Sequence, residues 1–225
     1  ALPGLVHIGM FTHLDGNNES SFEERYRLLD GMTHMCRRYH DVFEANDWMD
    51  LDRMRVLRPG NPAERFPLKP VVFGICQRGG FPGKGDGFLQ DVIHALPGAI
   101  QRGMRLHIKG SGWDLNSFAC PTQWTNDESE GTYTAFYEAI DYLLIPSLWE
   151  GGPMALLEAL AQGIPIVASD VGWVPEFPVD HAYQPGDVGG LVEIITSIVS
   201  RRLKRRRSVE AITYTRYANG LGQFV

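Results

Sequence analysis

This chain of 225 residues has few cysteines and no long apolar run, and its positive charge is unevenly distributed. The three cysteines (Cys36, Cys76 and Cys120) are odd in number, far apart and in no spacing typical of metal ligands. They predict reduced thiols in a cytosolic protein and no disulfide framework. No run of about 18 apolar residues occurs, so no transmembrane helix is predicted. The first ten residues lack the basic and apolar regions of a secretory signal peptide.

Positive charge is concentrated in one segment. The formal net charge is −6, yet RRLKRRR at 201–207 holds six of the 21 basic residues and no acid. The rest of the chain carries the remaining 15 basic residues against all 27 acidic residues, a net charge of −12. A polyanionic ligand bound elsewhere must therefore be held by a few placed cations and by backbone N–H groups.

Apolar, β-rich segments alternate with helical patterns through the middle of the chain. The four predicted strands cover residues 71–76, 105–110, 141–146 and 164–170. Helices are predicted over 86–96 and 153–162. Strands that are apolar on both faces and separated by helices are typical of a covered parallel sheet, so the predicted fold class is α/β. The polar stretch 111–135 predicts a long surface loop with a weak strand near Ser117–Cys120.

The first 66 residues predict a separate small unit. Their pattern allows one strand within 4–16 and helices over 22–31 and 39–47. Prolines and a glycine interrupt the segment 54–70, which predicts a linker and a domain boundary near Pro67. The predicted divisions are residues 1–66, a small α/β unit with its linker; residues 67–200, a Rossmann-like domain; and residues 201–225, a basic segment with a closing helix.

The segment LWEGGPMALLEALAQGIPIVASDVG, residues 148–172, places two glutamates around a predicted helix start. Pro153 suits the first turn of a helix, and Gly163 suits the position just past its end. Glu150 therefore lies in the preceding turn, and Glu158 lies within the helix. The free N–H groups at the start of such a helix face the carboxyl edge of the sheet, where they form an anion site.

A ligand with both phosphate and hydroxyl groups fits this arrangement. Carboxylates accept hydrogen bonds from sugar hydroxyls, each worth about 1.5–3 kcal/mol, and Gly151 and Gly152 let a ligand approach the backbone closely. Arg78 and Lys84, in the loop after the strand 71–76, supply the positive charge that a diphosphate needs. The combined interpretation is a nucleotide-diphosphate-sugar site. The alternative is that these acids and cations are solvated surface charges.

Three motifs in order resemble the retaining glycosyltransferases of the GT-B fold, in family 4, the glycogen-synthase-like and mannosyltransferase group. The spacing of Glu150 and Glu158 is similar to that family's E-x7-E motif. The likeness covers residues of about 50 to 200. The segments that carry it are DYLLIPSLWEGGPMALLEALAQGIPIVASDVGWVPE (141–176), VVFGICQRGGFPGKGDGFL (71–89) and the linker MRVLRPGNPAERF (54–66).

The resemblance implies a GT-B-like enzyme that needs no metal or other cofactor and uses a nucleotide-diphosphate sugar, such as a UDP- or GDP-sugar, as donor. Arg78 and Lys84 would bind the diphosphate and stabilise the leaving group. Glu158 would hydrogen-bond the ribose, and Glu150 would lie beside the donor sugar. The other positions implied to contact the donor are the backbone of Gly152, Pro153, Met154 and Ala155 and the side chain of His13.

The sequence departs from this family at three places. The part before the linker resembles only the last two strand–helix units of the family's first domain, so the acceptor side is expected to be reduced. Trp173 replaces a usual glycine and is expected to reshape the sugar pocket. The stretch 111–135 differs where the family usually contacts the base, so the donor base stays open.

The function predicted from these features is a retaining glycosyltransferase acting on a hydroxyl of a saccharide, a lipid or a modified nucleic acid. One alternative is a non-catalytic module that binds sugar nucleotides. Another is the donor-binding subunit of a split enzyme, completed by a partner chain or a second copy. The basic run 201–207 allows a solvated helix end, contact with nucleic acid, or peripheral contact of a cytoplasmic protein with the inner membrane face.

Overall fold

The chain divides into two compact units, one formed by Ala1–Pro67 with Arg206–Val225 and the other by Leu68–Arg205. The structure, a computed structural model, describes most of the second unit and the parts of the first that carry its strands. The described residues are 6, 8–11, 27–35, 37, 50–58, 66–126 and 129–223. His13, Cys36, the predicted helix 39–47 and residues 22–26 of the predicted helix 22–31 lie outside them. The rest of the predicted helix 22–31 is wrong, because residues 27–30 are not helical and Gly31 begins a strand.

The larger unit is built on a six-stranded sheet in which every pairing is parallel. Its spatial order is β6-β5-β4-β7-β8-β9. The strands are β4 (Val71–Cys76), β5 (Met104–Lys109), β6 (Thr122–Thr125), β7 (Tyr142–Ile145), β8 (Ile166–Ser169) and β9 (His181–Tyr183). The predicted α/β class is confirmed, and the four predicted strands begin and end within two residues of the observed ones.

Helices cover both faces of this sheet. Their bounds are α1 (Asp86–Ala95), α2 (Gly98–Gly103), α3 (Glu130–Glu138), α4 (Met154–Ala161) and α5 (Val188–Glu210). Successive strand residues point to opposite faces, and β7 shows the result. Leu144 packs in one buried cluster, with α1 and α5, whereas Leu143 and Ile145 pack in the other, with α3 and α4. The sheet is therefore apolar on both sides, as its parallel pairing requires.

The prediction for the polar stretch 111–135 is wrong in its strand position. Residues Leu115–Ser117 form a short 3-10 helix, because the Asp114 side chain accepts a hydrogen bond from the Asn116 N–H. The strand instead covers Thr122–Thr125, which has one neighbouring strand at the sheet edge and whose side chains are half-buried or exposed. Helix α3 then begins at Glu130, so the predicted long loop is also shorter than expected.

The smaller unit contains a three-stranded parallel sheet in the order β1-β2-β3. Strand β1 (Ile8–Phe11) falls within the predicted range, and β2 (Gly31–His34) was not predicted. Strand β3 (Met54–Val56) opens the segment predicted as a linker, and the prolines that break regular structure begin only at Pro59.

The closing segment forms the end of one helix and the whole of another. Helix α5 continues through the basic run to Glu210, and α6 (Tyr214–Gly222) follows after a break. The predicted single closing helix is wrong because Thr213 caps a new helix, with its side chain accepting a hydrogen bond from the Arg216 N–H. Within the described ranges, no helix combines the length and apolar character needed to cross a bilayer.

Candidate functional site

A cleft of about 390 Å³ lies at the carboxyl edge of the six-stranded sheet, where β4 and β7 end. Seven of the residues predicted to contact a donor line it: Arg78, Lys84, Glu150, Gly152, Pro153, Met154 and Ala155. Gly151 and Glu158 are not among the lining residues, and His13 lies outside the described residues. The loops after β4 and β7 thus bring together groups that are more than 60 residues apart in sequence, as the Lys84–Glu150 contact shows.

Lys84 and Glu150 form an ion pair inside the cleft. The Lys84 Nζ lies 2.6 Å from Glu150 Oε2, and the two side chains are 29% and 17% exposed. The Ser147 hydroxyl lies 3.2 Å from the same carboxylate oxygen and 3.1 Å from Gln77 Oε1, so it can donate to either. Ser147 is fully buried. Glu150 is therefore held by a cation and a hydroxyl in a position that leaves it facing the cleft.

The two loops of the cleft are bonded to each other. The Gln77 side chain donates to the Lys84 carbonyl oxygen at 2.7 Å, and the Leu148 N–H donates to the Gly83 carbonyl oxygen at 2.8 Å. Gly85 has a φ of 78°, and a Cβ there would overlap the carbonyl oxygen of Pro146. The close approach of the two loops holds Lys84 opposite Glu150.

Sequence reasoning missed Gln77 and Ser147, which join this network. Both lie close to strand ends: Gln77 is the first residue after β4, and Ser147 is the second residue after β7. Polar residues at the carboxyl ends of parallel strands are the available signal, since ligands bind there in open α/β sheets. Neither residue type has a characteristic spacing that would have separated it from ordinary loop residues.

The N-terminus of α4 opens on the cleft without a side-chain cap. Pro153 precedes the helix, and no side chain of the described residues caps it. Met154 and Ala155, the first two helical residues, both line the cleft. Uncapped N–H groups at the positive end of a helix favour an anion. No acidic residue lies in this first turn to compete for them.

A second cavity of about 160 Å³ adjoins the first, because Cys76, Gln77 and Arg78 line both. Lys109, at the end of β5, also lines it, although this side chain is only 3% exposed. Its Nζ donates to the Thr132 hydroxyl at 2.7 Å and lies 4.0 Å from the centre of the Tyr133 ring. Arg78 is exposed between the two cavities and can reach a ligand that occupies both.

Glu158 lies one turn beyond Ala155 on α4 and is half-buried. The Tyr137 hydroxyl donates a hydrogen bond to its Oε2. Burial, followed by this hydrogen bond, raises the pKa of Tyr137 well above its usual range. Cys76 lies beside the pair, and burial raises the pKa of its thiol to about 11. Tyr137 and Cys76 are therefore both protonated near neutral pH.

Tryptophan rings pack against two glycines in the loops that form the cleft. The Trp173 ring packs against Gly152, where any Cβ would overlap it, and the mostly exposed Trp149 packs in the same way against Gly83. Trp173 does not line the cleft itself. The expectation that it reshapes the sugar pocket therefore stays a prediction, and its observed role is to support the glycine turn from behind.

The charged groups of the cleft do not form a metal site of the usual kind. In the parts of the chain that the structure describes, no group of three or more His, Cys, Asp and Glu side chains is arranged to hold a metal ion. Glu150 instead bonds to Lys84 and Ser147.

Fold and site together define an α/β protein with a Rossmann-like parallel sheet and a cationic cleft at the carboxyl ends of its strands. Residues 121–215 match the family model described as Glycosyl transferases group 1. This segment includes Glu150, Glu158 and all of α4, and the match agrees with the predicted enzyme class, a glycosyltransferase.

The relatives with sequence similarity to the chain include two lipopolysaccharide 1,6-galactosyltransferases. It is 27% identical over 128 residues to the lipopolysaccharide 1,6-galactosyltransferase of Escherichia coli, covering 50% of this chain and 35% of that protein. It is 26% identical over 172 residues to the Salmonella typhimurium lipopolysaccharide 1,6-galactosyltransferase, covering 69% and 46%. The chain thus spans less than half the length of either relative.

A similar solved structure is the catalytic domain of cholesterol-alpha-glucosyltransferase from Helicobacter pylori. The TM-score is 0.48 at 16% identity, and the similarity covers 67% of this chain and 99% of that one.

Proposed function

We propose that this chain carries the donor site of a retaining glycosyltransferase that uses a nucleotide-diphosphate sugar and needs no metal ion. The observation that supports this most is the joining of Arg78, Lys84, Glu150 and the uncapped start of α4 in one cleft. Two cations and free backbone N–H groups suit a diphosphate, and a carboxylate beside them suits sugar hydroxyls.

In the proposed reaction, the bond between the sugar's anomeric carbon and the diphosphate oxygen breaks as a bond to the acceptor oxygen forms. The bonding electrons leave with the diphosphate, whose growing negative charge Arg78 and Lys84 stabilise. The acceptor's proton passes to the departing phosphate oxygen on the same face, so the anomeric configuration is retained. Glu150 holds the sugar hydroxyls and faces the positive charge that develops on the ring.

The ion pair between Lys84 and Glu150 is compatible with both roles. An ammonium group has three N–H donors, so Lys84 can bond to a phosphate oxygen while one donor remains on Glu150, 2.6 Å away. In the proposed complex the carboxylate would then lie next to the diphosphate, near the anomeric carbon.

The second cavity is the proposed place for the rest of the nucleotide. It shares Arg78 with the first cavity, so a ligand with its diphosphate at Arg78 can extend toward Lys109 and Asn126. Glu158 lines neither cavity, but it lies beside Cys76, which lines both, and from there it would hydrogen-bond the ribose that joins the two parts. Because both relatives are named as lipopolysaccharide galactosyltransferases, UDP-galactose and a lipopolysaccharide saccharide are the first donor and acceptor to test.

Calorimetry with UDP, GDP, ADP and their sugar derivatives tests the donor site. We expect one diphosphate nucleotide to bind, and Glu158→Ala to weaken it by about ten- to a hundredfold through loss of a charged hydrogen bond. Glu193→Ala, which removes an exposed acid on α5, is the matched control and should bind as the native chain does. If no nucleotide binds, or if both variants bind equally well, the proposal fails.

Retention is tested separately with the donor that binds. Incubation with UDP-galactose and a lipopolysaccharide saccharide should give a product whose anomeric proton, followed by NMR, has the α configuration of the donor. A β product would show inversion and would contradict the proposed step.

A further inference from the structure

Tyr137 is a buried residue that bonds to a predicted ligand-binding side chain and has no role in the reaction proposed above. It lies near the end of α3, 21 residues before Glu158, and is 3% exposed. Its ring packs edge-on against Phe136, with 5.1 Å between ring centres and 77° between planes. The hydroxyl is therefore fixed in space by a packed ring.

This hydroxyl occupies one side of the Glu158 carboxylate. It donates to Oε2, and within the described ranges no other hydrogen bond or ion pair reaches the carboxylate. A carboxylate accepts on both oxygens, so Oε1 keeps its lone pairs for a ligand. A glutamate side chain has several rotatable bonds, and fixing one oxygen removes most of the orientations that it could otherwise adopt.

The surroundings keep Tyr137 in the donating form. Its desolvated hydroxyl cannot lose its proton near neutral pH, because the charge would be buried beside the Glu158 carboxylate. The neighbouring Cys76 thiol, which lines both cavities, is also protonated there. Tyr137 therefore carries the proton that it donates to Glu158 near neutral pH.

We propose that Tyr137 is a positioning residue that holds Glu158 with Oε1 directed at the ribose hydroxyls of the bound nucleotide. This inference rests on the proposed donor site, because it assigns the ribose to Glu158. It predicts that removal of the tyrosine hydroxyl lowers the affinity only for nucleotides that carry the ribose hydroxyls, although Tyr137 itself touches no ligand.

The test compares two ligands on three proteins by calorimetry. The ligands are the best-binding of UDP, GDP and ADP and its 2′,3′-dideoxy form, and the proteins are the native chain, Tyr137→Phe and Glu158→Gln. Tyr137→Phe keeps the packed ring and removes only the hydroxyl. We expect it to weaken the ribonucleotide about tenfold and to change the dideoxynucleotide by less than about twofold. Glu158→Gln should show the same selectivity.

A purely structural role would weaken both ligands equally, and this result, or an unchanged affinity for both, would overturn the proposal while leaving the donor site intact. Absence of binding to the native chain would instead remove the donor site and this inference with it. Replacing Tyr137 by 4-aminophenylalanine, which retains a donor, should restore most of the lost affinity. If Tyr137→Phe does not fold, 4-fluorophenylalanine fills the volume of the hydroxyl without donating, and the same comparison applies.

Discussion

At the scale of single residues, the cleft is organised around the charge of Lys84. The ammonium group is paired with Glu150 and is 29% exposed, so it is neither fully solvated nor fully desolvated. Such a cation interacts with a second anion more strongly than a surface lysine does, because less water screens it. Removing it therefore has two effects: the diphosphate loses a donor, and Glu150 keeps its charge without a cation.

Lys84→Met should weaken diphosphate binding by at least about tenfold, because a charge-assisted hydrogen bond is lost and Glu150 then repels the ligand. Calorimetry with the diphosphate that the native chain binds measures this loss. Lys69→Met makes the same charge change at an exposed position outside the cleft and should bind within about twofold of the native chain. An equal loss in the two variants would show that only net charge matters.

Single residues also show which parts of the site could be predicted. Glu150 and Lys84 lie in motifs of recognisable spacing, and both line the cleft. Tyr137 could not be predicted, because it acts from a different helix and its contact with Glu158 exists only after α3 and α4 pack together. Gln77 and Ser147 were missed because short polar side chains in loops have no spacing of their own.

At the scale of elements, the loop between β4 and α1 is defined by backbone contacts that only glycine permits. Gly85 combines a positive φ with close approach to the Pro146 carbonyl group. Two residues later, Gly87 lies in α1 with open space around it. The two glycines therefore predict opposite effects of the same substitution.

Gly85→Ala should lower the free energy of unfolding by more than about 2 kcal/mol, because the added methyl group overlaps backbone and the φ is strained. Gly87→Ala should raise it by up to about 1 kcal/mol, through the better helix propensity of alanine. Urea unfolding followed by circular dichroism measures both. A destabilised Gly87→Ala, or a neutral Gly85→Ala, would contradict the described loop.

Strand β5 carries a buried histidine whose protonation affects stability. His107 is 4% exposed, with Nε2 3.1 Å from the Thr125 hydroxyl on β6 and its ring edge-on to Phe136. Burial, helped by the nearby charges of Lys109 and Arg105, lowers the pKa of His107 below its usual 6.5. The folded state therefore favours the neutral ring.

The unfolded chain takes up a proton at His107 near pH 6.5, and the folded chain does so only at lower pH. The stability that this residue contributes is present above pH 6.5 and is lost as the pH falls below it. His107→Gln should therefore reduce the loss of stability between pH 7 and pH 5, measured by urea unfolding. His94→Gln, which replaces an exposed histidine on α1, is the matched control for the substitution.

The burial of each strand and the length of each helix also explain which elements the sequence patterns predict correctly. The strands at the centre of the sheet are buried on both faces, so their apolar runs are unambiguous, and β4 was located to the residue. Strand β6 is an edge strand whose polar side chains are half-buried or exposed, so its pattern is weak. Helix α2 was missed because six residues are too few to show a period.

At the scale of the whole molecule, the basic run 201–207 has a structural part as well as an exposed part. Within the larger unit, Arg202 bonds to both carboxylate oxygens of Asp141 at 3.1 and 2.8 Å and to the Pro70 carbonyl oxygen at 2.8 Å. Arg206, in the smaller unit, donates to the Phe66 carbonyl oxygen at 2.8 Å. Arg202 and Arg206 therefore bind the protein itself, whereas Arg201 and Lys204 are exposed.

Arg202→Met should lower the free energy of unfolding by about 1 kcal/mol, a modest value because both partners are about one-third exposed and screened. Arg201→Met removes the same charge from the exposed side of α5 and should change stability by less than about 0.5 kcal/mol. Urea unfolding at low and at high salt measures both. Equal effects of the two variants would show that the bidentate pair contributes nothing specific.

The strand order of the larger sheet has a consequence for how the protein is made. β4 is the first of the six strands to be synthesised and lies inside the sheet, with β5 and β6 added on one side and β7, β8 and β9 on the other. No strand has to insert between two that are already paired. A nascent chain leaving the ribosome can thus extend the sheet outward from β4, and each new segment meets an open edge as it emerges.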